Sequence, residues 1–341
     1  GAVALEMGHN TLAYDCLKYA IDRDSNMPIA EHNLANLIKD RARAAEALPL
    51  YRKAIDLFPT NSALRRQAFS NYLLGHQYLP NPDPVEIFEE HKKWGLETVA
   101  LFHPAFEHTQ KKIGSKRKIR VGFVSADFWD HPIAAFMEPF FREFDRSKFE
   151  IFIYSDLQRS PTAVTQRLRG LVTAWRDTVT LDIHALAKMM HEDSLDVLFD
   201  LAGHTAHNRM DLFALKPAPV QISYLGYPCT TGLPAIDYRI TDAIADPKGK
   251  TEPVHTEKLV YLPDCAWCFE APDGAPGVGP LPAIQGGHIT FGCFNNMAKW
   301  NTDLYEMWIE VLKEVPDSRL RLKARTLLDA PVRNELVEFF K

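Results

Sequence analysis

The stretch Lys118-Ile119-Arg120-Val121-Gly122-Phe123-Val124-Ser125, followed by Ala126-Asp127-Phe128-Trp129-Asp130-His131-Pro132, decides the fold. Its first eight residues are a β-type run that follows a basic segment, and an apolar helical pattern over 133–144 starts within a few residues. This is the opening of a strand-loop-helix unit. Downstream the spacing predicts a strand at 149–154, helices at 161–171 and 183–191, a strand at 196–201, a helix at 209–215, and strands at 220–225 and 238–241. Near-continuous apolar strands alternating with helices predict a doubly wound parallel sheet covered on both faces. Ligands of such sheets bind outside the carboxyl ends of the strands.

After residues 258–262 the chain enters a Pro- and Gly-rich stretch, 271–287, that reads as a linker. The pattern then restarts. His288-Ile289-Thr290-Phe291-Gly292-Cys293-Phe294 reads as a first strand, with a helix over 302–315, a strand over 318–323 and a final helix behind it. Two such domains facing each other would enclose a ligand cleft.

Upstream, Tyr19-Ala20-Ile21-Asp22 recurs as Lys53-Ala54-Ile55-Asp56, an offset of 34 residues. That is the length of a tetratricopeptide helix-turn-helix repeat. Ala47, Ala54 and Ala68 would let helices approach closely, while Tyr51 and Phe58 would fill the groove between repeats. Only about two units are visible, so the array is expected to have lost N-terminal repeats or to be capped by neighbouring structure; an ordinary two-hairpin bundle is the competing reading. Leu79-Pro80-Asn81-Pro82-Asp83-Pro84 ends the pattern, because closely spaced prolines cannot continue a helix. One further helix, about 85–101, leads onward. The expected domains are therefore 1–78 helical repeats, 79–115 connector, 116–270 first α/β domain, 271–287 linker and 288–341 the start of a second α/β domain.

A chain of 341 residues with 46% hydrophobic and 24% charged residues is a soluble, multi-domain composition, and no apolar run is long enough to span a bilayer. A net charge of −5 disfavours a general nucleic-acid binder. Five scattered cysteines are not a disulfide framework and point to a reducing, cytoplasmic setting. The first residues carry no signal-peptide pattern, and the lack of an initiator Met suggests a processed or trimmed product.

Three strand-end loops carry chemistry. In the first, His131 just before a helix start could act as general base or hydrogen-bond a ligand; its alternative is a loop histidine bonded to neighbouring backbone. In the second, Gly203, His204, Thr205, His207, Asn208 and Arg209 gather donors and acceptors, either for a ligand or to cap the next helix; two histidines without a third ligand make a weak metal reading. In the third, Gly226-Tyr227-Pro228-Cys229-Thr230-Thr231-Gly232 joins them, so that the three loops line one face. Cys265-Ala266-Trp267-Cys268 is a lone Cys-x-x-Cys, read as packing. In the second domain, Phe294-Asn295-Asn296-Met297-Ala298-Lys299 occupies the corresponding loop, where Lys299 could neutralise a diphosphate. Neither G-x-x-x-x-G-K-[ST] nor G-x-G-x-x-G is present, so an ATPase or a dinucleotide dehydrogenase has no motif support.

Taken together, RKIRVGFVSADFWDHP, DLAGHTAHNRMDLFALKPAPVQISYLGYPCTTGLPAIDYRITD and ITFGCFNNMAKWN, behind helical repeats, resemble the O-GlcNAc transferase and SPINDLY family in its bacterial form, over nearly the whole chain. The resemblance implies a tetratricopeptide solenoid fused to a GT-B glycosyltransferase of two Rossmann-like domains, the second truncated here. It implies transfer of N-acetylglucosamine from UDP-GlcNAc to Ser or Thr hydroxyls of intracellular proteins, with inversion, releasing UDP and requiring neither cofactor nor metal. Protein acceptors would be guided by the repeat groove. By motif, His131 matches the histidine of the first catalytic loop and Lys299 the lysine that holds the diphosphate. Asn296, beside Asn295, matches a nucleotide contact; His204, in the loop facing the cleft, joins His131 and Lys299 as a catalytic residue, and Thr205 of that loop joins Tyr227 and Pro228 in the donor-binding set. Two departures stand out. Ala134-Ala135-Phe136 replaces a second histidine of the animal enzymes, and the chain stops at Lys341, so it is not expected to be a complete catalyst alone. The strings GHTAHN, YPCTTGLP and FNNMAK are closer to the SPINDLY branch, which implies GDP-fucose as an alternative donor. A scaffold that has lost activity, or a sugar-nucleotide epimerase of similar shape, are the rival functions.

Overall fold

The computed structural model describes residues 1–108, 117–271 and 274–341. Residues 109–115 of the expected connector, the expected domain start at Lys116, and residues 272–273 of the expected linker lie outside the described residues. The chain divides into two compact units, one made of Gly1–Pro82 with Pro276–Lys341 and the other of Asp83–Ala275.

The first unit opens with α1 (Ala2–Glu6), α2 (Asn10–Arg23), α3 (Pro28–Asp40), α4 (Ala44–Leu57) and α5 (Ala63–His76). Helices α2 and α4 start 34 residues apart, at 10 and 44, so the period seen in the sequence is the period of the helical hairpins. Ala13, Ala35, Ala47, Ala54 and Ala68 are fully buried, and the buried Tyr51 lies against Gly75 and donates its hydroxyl to Asn36 at 2.6 Å. Helix α5 begins where Ser62 accepts the amide N–H of Leu64.

The second unit begins with α6 (Pro84–Leu101), started by Asp83, whose carboxylate accepts the Val85 and Glu86 amides. There follow β1 (Ile119–Ser125), α7 (Pro132–Glu143), β2 (Phe149–Ser155), α8 (Ala163–Leu171), β3 (Ala174–Asp177), α9 (Ile183–Glu192), β4 (Val197–Asp200), α10 (Met210–Ala214), β5 (Val220–Ser223), β6 (Tyr238–Asp242) and β7 (Lys258–Leu262). The seven strands form one parallel sheet in the order β3-β2-β1-β4-β5-β6-β7. The doubly wound sheet anticipated from the strand pattern is therefore present. Its order reverses between β1 and β4, where consecutive crossovers lead to opposite edges. In open α/β sheets such a reversal is the place where ligands bind, outside the carboxyl ends of the two strands. Ile133, Met137 and Phe141 recur every four residues on α7 and bury one stripe against Val121, Phe123, Ile151 and Ile153 of the sheet. Each such burial contributes roughly 1.5–3 kcal/mol.

The chain then completes the first unit with α11 (Pro282–Gly286), β8 (Thr290–Cys293), α12 (Thr302–Glu314), β9 (Arg319–Leu322) and α13 (Ala330–Phe339). Strands β8 and β9 are parallel neighbours. Met297, Trp300, Val332 and Leu336 form their core with Leu304, Tyr305 and Trp308, and Ala42 of the α3–α4 turn packs onto the same cluster. Asp329 adds a polar tie, accepting from the Thr11 hydroxyl at 2.8 Å and from Arg41 at 3.1 Å. In packing, then, the last α/β segment shares a core with the helical repeats.

Candidate active site

Three loops leave the carboxyl ends of β1, β4 and β5, the middle of the sheet. The β1 loop ends at His131, which caps α7: its Nδ1 accepts the Ile133 N–H at 3.3 Å, and Pro132 fills the first helical position, where no amide is needed. About a third of the His131 side chain is exposed, 34%. An Nδ1 that accepts must be unprotonated, so the neutral ring carries its proton on Nε2 and presents a donor. Asp127 lies 3.9 Å from Nδ1, beyond hydrogen-bond length, and its other oxygen accepts the Trp129 indole N–H at 3.4 Å. Arg159 stacks over Trp129 at 3.5 Å, giving this rim a cationic, aromatic edge.

The β4 loop turns at Gly203, where φ is +54°. A Cβ there would meet the Tyr227 Cβ at 2.3 Å, so glycine is required by conformation and by space. Asp200 is buried and accepts the amides of Ala202 (3.1 Å) and Gly203 (2.7 Å), which fixes the turn. Burial raises its carboxyl to about 6 against the opposing pull of those two amides. At the far end of the loop, Arg209 forms a fork with the buried Asp156 beyond β2, at 2.8 and 3.0 Å.

The structure separates the expected site residues into two groups. Thr205 is half-buried and donates to the Ala202 carbonyl, while His207 and Pro228 are exposed on the loops. His204 and Tyr227, in contrast, point inward. His204 is fully buried; its Nε2 donates to the Thr231 carbonyl at 2.8 Å, and its ring packs edge-on against Trp94 at 4.5 Å. Tyr227 is 2% exposed and its hydroxyl meets Nε2 of His91 at 2.7 Å. His91 Nδ1 faces the Ile87 carbonyl, which can only accept, so Nδ1 holds the ring's proton and Nε2 accepts from Tyr227. His204 and Tyr227 were expected to face a ligand; here they join the β4 and β5 loops to α6 from below.

Several supporting residues were not singled out in the sequence. Buried Glu257 accepts from the Thr230 hydroxyl (2.6 Å) and the Thr231 amide (2.7 Å), and Arg239 donates to the carbonyls of Tyr227 (2.8 Å) and Cys229 (3.2 Å). His91, Trp94, Gly95 and Thr98 are the buried stripe of α6 that receives the loops. Their spacing of three, four and seven residues was the available signal, although nothing local tells what the stripe meets.

The β8 loop belongs to the other unit. Asn296 accepts the Ala298 amide at 3.1 Å and starts a short 3-10 turn, Met297–Lys299; Met297 and Ala298 are buried, and Asn295, Asn296 and Lys299 are exposed. The buried neighbours hold the loop while Lys299 faces outward.

The sequence matches glycosyl transferase family 41 over residues 78–270, more than half of the chain. The chain belongs to glycosyl transferase family 41. Among its relatives is a protein of Arabidopsis thaliana described as a probable UDP-N-acetylglucosamine peptide N-acetylglucosaminyltransferase, SPINDLY, 38% identical over 264 residues, covering 76% of this chain and 29% of that protein. A second Arabidopsis relative, SEC, carries the same enzyme description and is 30% identical over 257 residues, 70% of this chain and 26% of that protein. A solved structure of a mutant O-GlcNAc transferase of Thermobaculum terrenum superposes with a TM-score of 0.89 at 30% identity, covering 98% of this chain and 62% of that one. The chain thus spans less than a third of the length of these curated relatives.

For this family-41 chain the buried His204 has a measurable consequence. Burial lowers its pKa from 6.5 to about 4, against the raising effect of the Thr231 carbonyl. The unfolded ring takes up a proton near pH 6.5 and the folded one only near pH 4. Its contribution to stability is therefore complete above about pH 6.5 and lost as the pH falls toward 4. Asp200 acts in the opposite sense, so the difference between the wild type and His204→Gln isolates the histidine. Urea unfolding at pH 7.5 and pH 5 is expected to show the wild type losing about 2 kcal/mol more than His204→Gln over that interval. Equal losses in the two proteins would mean that His204 is not held neutral in the interior.

Proposed function

We propose that this chain is the catalytic portion of a protein O-glycosyltransferase that moves N-acetylglucosamine from UDP-GlcNAc to Ser or Thr hydroxyls of protein acceptors, with inversion at the sugar and release of UDP. The observation that carries the proposal is the set of polar strand-end loops at the sheet's order reversal, in a chain whose relatives are described as peptide N-acetylglucosaminyltransferases. Such a reversal is where open α/β sheets bind ligands.

In this reading His131 acts as a donor through Nε2–H, orienting an oxygen of the sugar, because its Nδ1 is committed to the α7 amide. Lys299, with Asn295 and Asn296, takes the diphosphate. Negative charge grows on that group as the glycosidic bond breaks, so a fixed cation stabilises the transition state more than the ground state, without a resident metal or cofactor. The half-buried Thr205 and the exposed Pro228 join the donor-binding set, while His204 and Tyr227 act by holding these loops. The helical repeats are the tetratricopeptide end of a groove that guides acceptors. The reaction takes place in the cytoplasm, a setting supported by five free cysteines; among the described residues no helix is long and apolar enough to cross a membrane.

A SPINDLY-like use of GDP-fucose is the second reading, supported by the strings GHTAHN, YPCTTGLP and FNNMAK. Calorimetry with UDP and GDP separates the two: tighter binding of UDP supports the first, tighter binding of GDP the second. Binding of neither sinks the catalytic reading and leaves the scaffold. Release of altered free nucleotide sugar without any acceptor would instead mark an epimerase.

A further inference from the structure

A second group of cations leaves the strand pair beside the Lys299 loop. In Arg319-Leu320-Arg321-Leu322-Lys323-Ala324-Arg325 every other residue is basic, and the four basic side chains are exposed while Leu320, Leu322 and Ala324 are partly buried. Leu322 and Ala324 pack on the Met297–Trp300 core, so the strand's period of two turns the charges outward. Cys293 of β8 pairs with Leu322 of β9, and the Lys323 N–H donates to the Cys293 carbonyl at 3.0 Å. Lys323 therefore sits at the strand end where β8 gives way to the loop carrying Lys299. The two loops are tied directly, since the Thr326 hydroxyl donates to the Met297 sulfur at 3.2 Å. Among the described residues no carboxylate forms an ion pair with Lys299, Lys323 or Arg325, whereas the nearby Asp329 is taken by Arg41 and Thr11.

We propose that Lys323 and Arg325 are donor-binding residues that, with Lys299, form a three-cation cradle for the diphosphate of a nucleotide at the carboxyl ends of β8 and β9. Like charges gathered at a ligand-binding strand end without acidic partners raise the local potential for an anion, and a diphosphate carries charge on two neighbouring groups that one lysine cannot cover. Lys323 would supply a point charge, and Arg325 a planar fork that matches phosphate oxygens. The inference rests on the reading that this chain takes a nucleotide sugar.

The test is calorimetric titration of the full chain and of Lys323→Ala, Arg325→Ala and Lys299→Ala with the preferred nucleoside diphosphate, and with the corresponding nucleoside by competition. Each single substitution is expected to weaken the diphosphate about tenfold while leaving the nucleoside unchanged, and to flatten the dependence of affinity on salt. If Lys299→Ala weakens binding but Lys323→Ala and Arg325→Ala do not, the cradle is wrong and the nucleotide reading stands. Equal losses for nucleoside and diphosphate overturn the assignment, because the damage is then structural. A wild-type chain that binds no nucleotide removes both, and is recognised because the unmodified protein already fails.

Discussion

Gly95→Ala is expected to destabilise the unit of residues 83–275 by about 3 kcal/mol or more, although helix propensity alone favours alanine there by about 1 kcal/mol. Gly95 lies within α6, and a Cβ at that position would fall 1.8 Å from the Gly232 carbonyl oxygen and 3.1 Å from the Leu233 Cα. Backbone on both sides leaves no flexible side-chain end to move aside. The contact is equally tight from the other partner: Gly232 has φ +72°, and an added Cβ there would lie 2.1 Å from the His91 carbonyl oxygen of the same helix. Gly170 provides the internal comparison: it is an exposed residue of α8 with nothing within 4 Å of an added Cβ. Gly170→Ala is therefore expected to stabilise the unit by about 0.5–1 kcal/mol. Urea unfolding of the two variants should move the midpoints in opposite directions. A Gly95→Ala midpoint at or above that of the wild type would show that α6 does not press on the β5 loop, and would remove the account of how His204 and Tyr227 hold it.

Lys299→Ala is expected to lower kcat/KM for sugar transfer by about two to three orders of magnitude. The loop around it is anchored by buried Met297, Ala298 and Trp300, and the lysine itself is exposed, so its removal should leave folding unchanged. A cation that meets charge growing on a departing diphosphate acts more strongly at the transition state than on the bound donor. The loss should accordingly fall more on kcat than on donor affinity, and Lys299→Arg should recover part of it. A variant with unchanged kcat would move the stabilising charge to another group.

Most of the α/β elements were legible because apolar strands and amphipathic helices announce themselves by period. The short β3 was not: Ala174-Trp175-Arg176-Asp177 has four residues, two of them charged, and pairs only with β2 at the sheet edge, so no apolar run marks it. The loops carrying His131, His204 and Lys299 were found because each follows a strand directly. What the sequence did not disclose was which of their side chains turn inward. His204 has the polar neighbours of a site residue, and its burial depends on Trp94 and His91, more than a hundred positions earlier on α6. The sharing of a core between the last α/β segment and the helical repeats likewise depends on Ala42 and Arg41 meeting residues near 297–336, a juxtaposition without local signature.

Transfer of a sugar to protein is read out by intact-mass spectrometry of an acceptor protein after incubation with UDP-GlcNAc. The expected result is added mass equal to one or more N-acetylhexosamine residues, located on Ser or Thr, lost with Lys299→Ala and retained with Gly170→Ala. An acceptor that gains no mass from UDP-GlcNAc or from GDP-fucose, under conditions where the chain is folded and binds nucleotide, would contradict it.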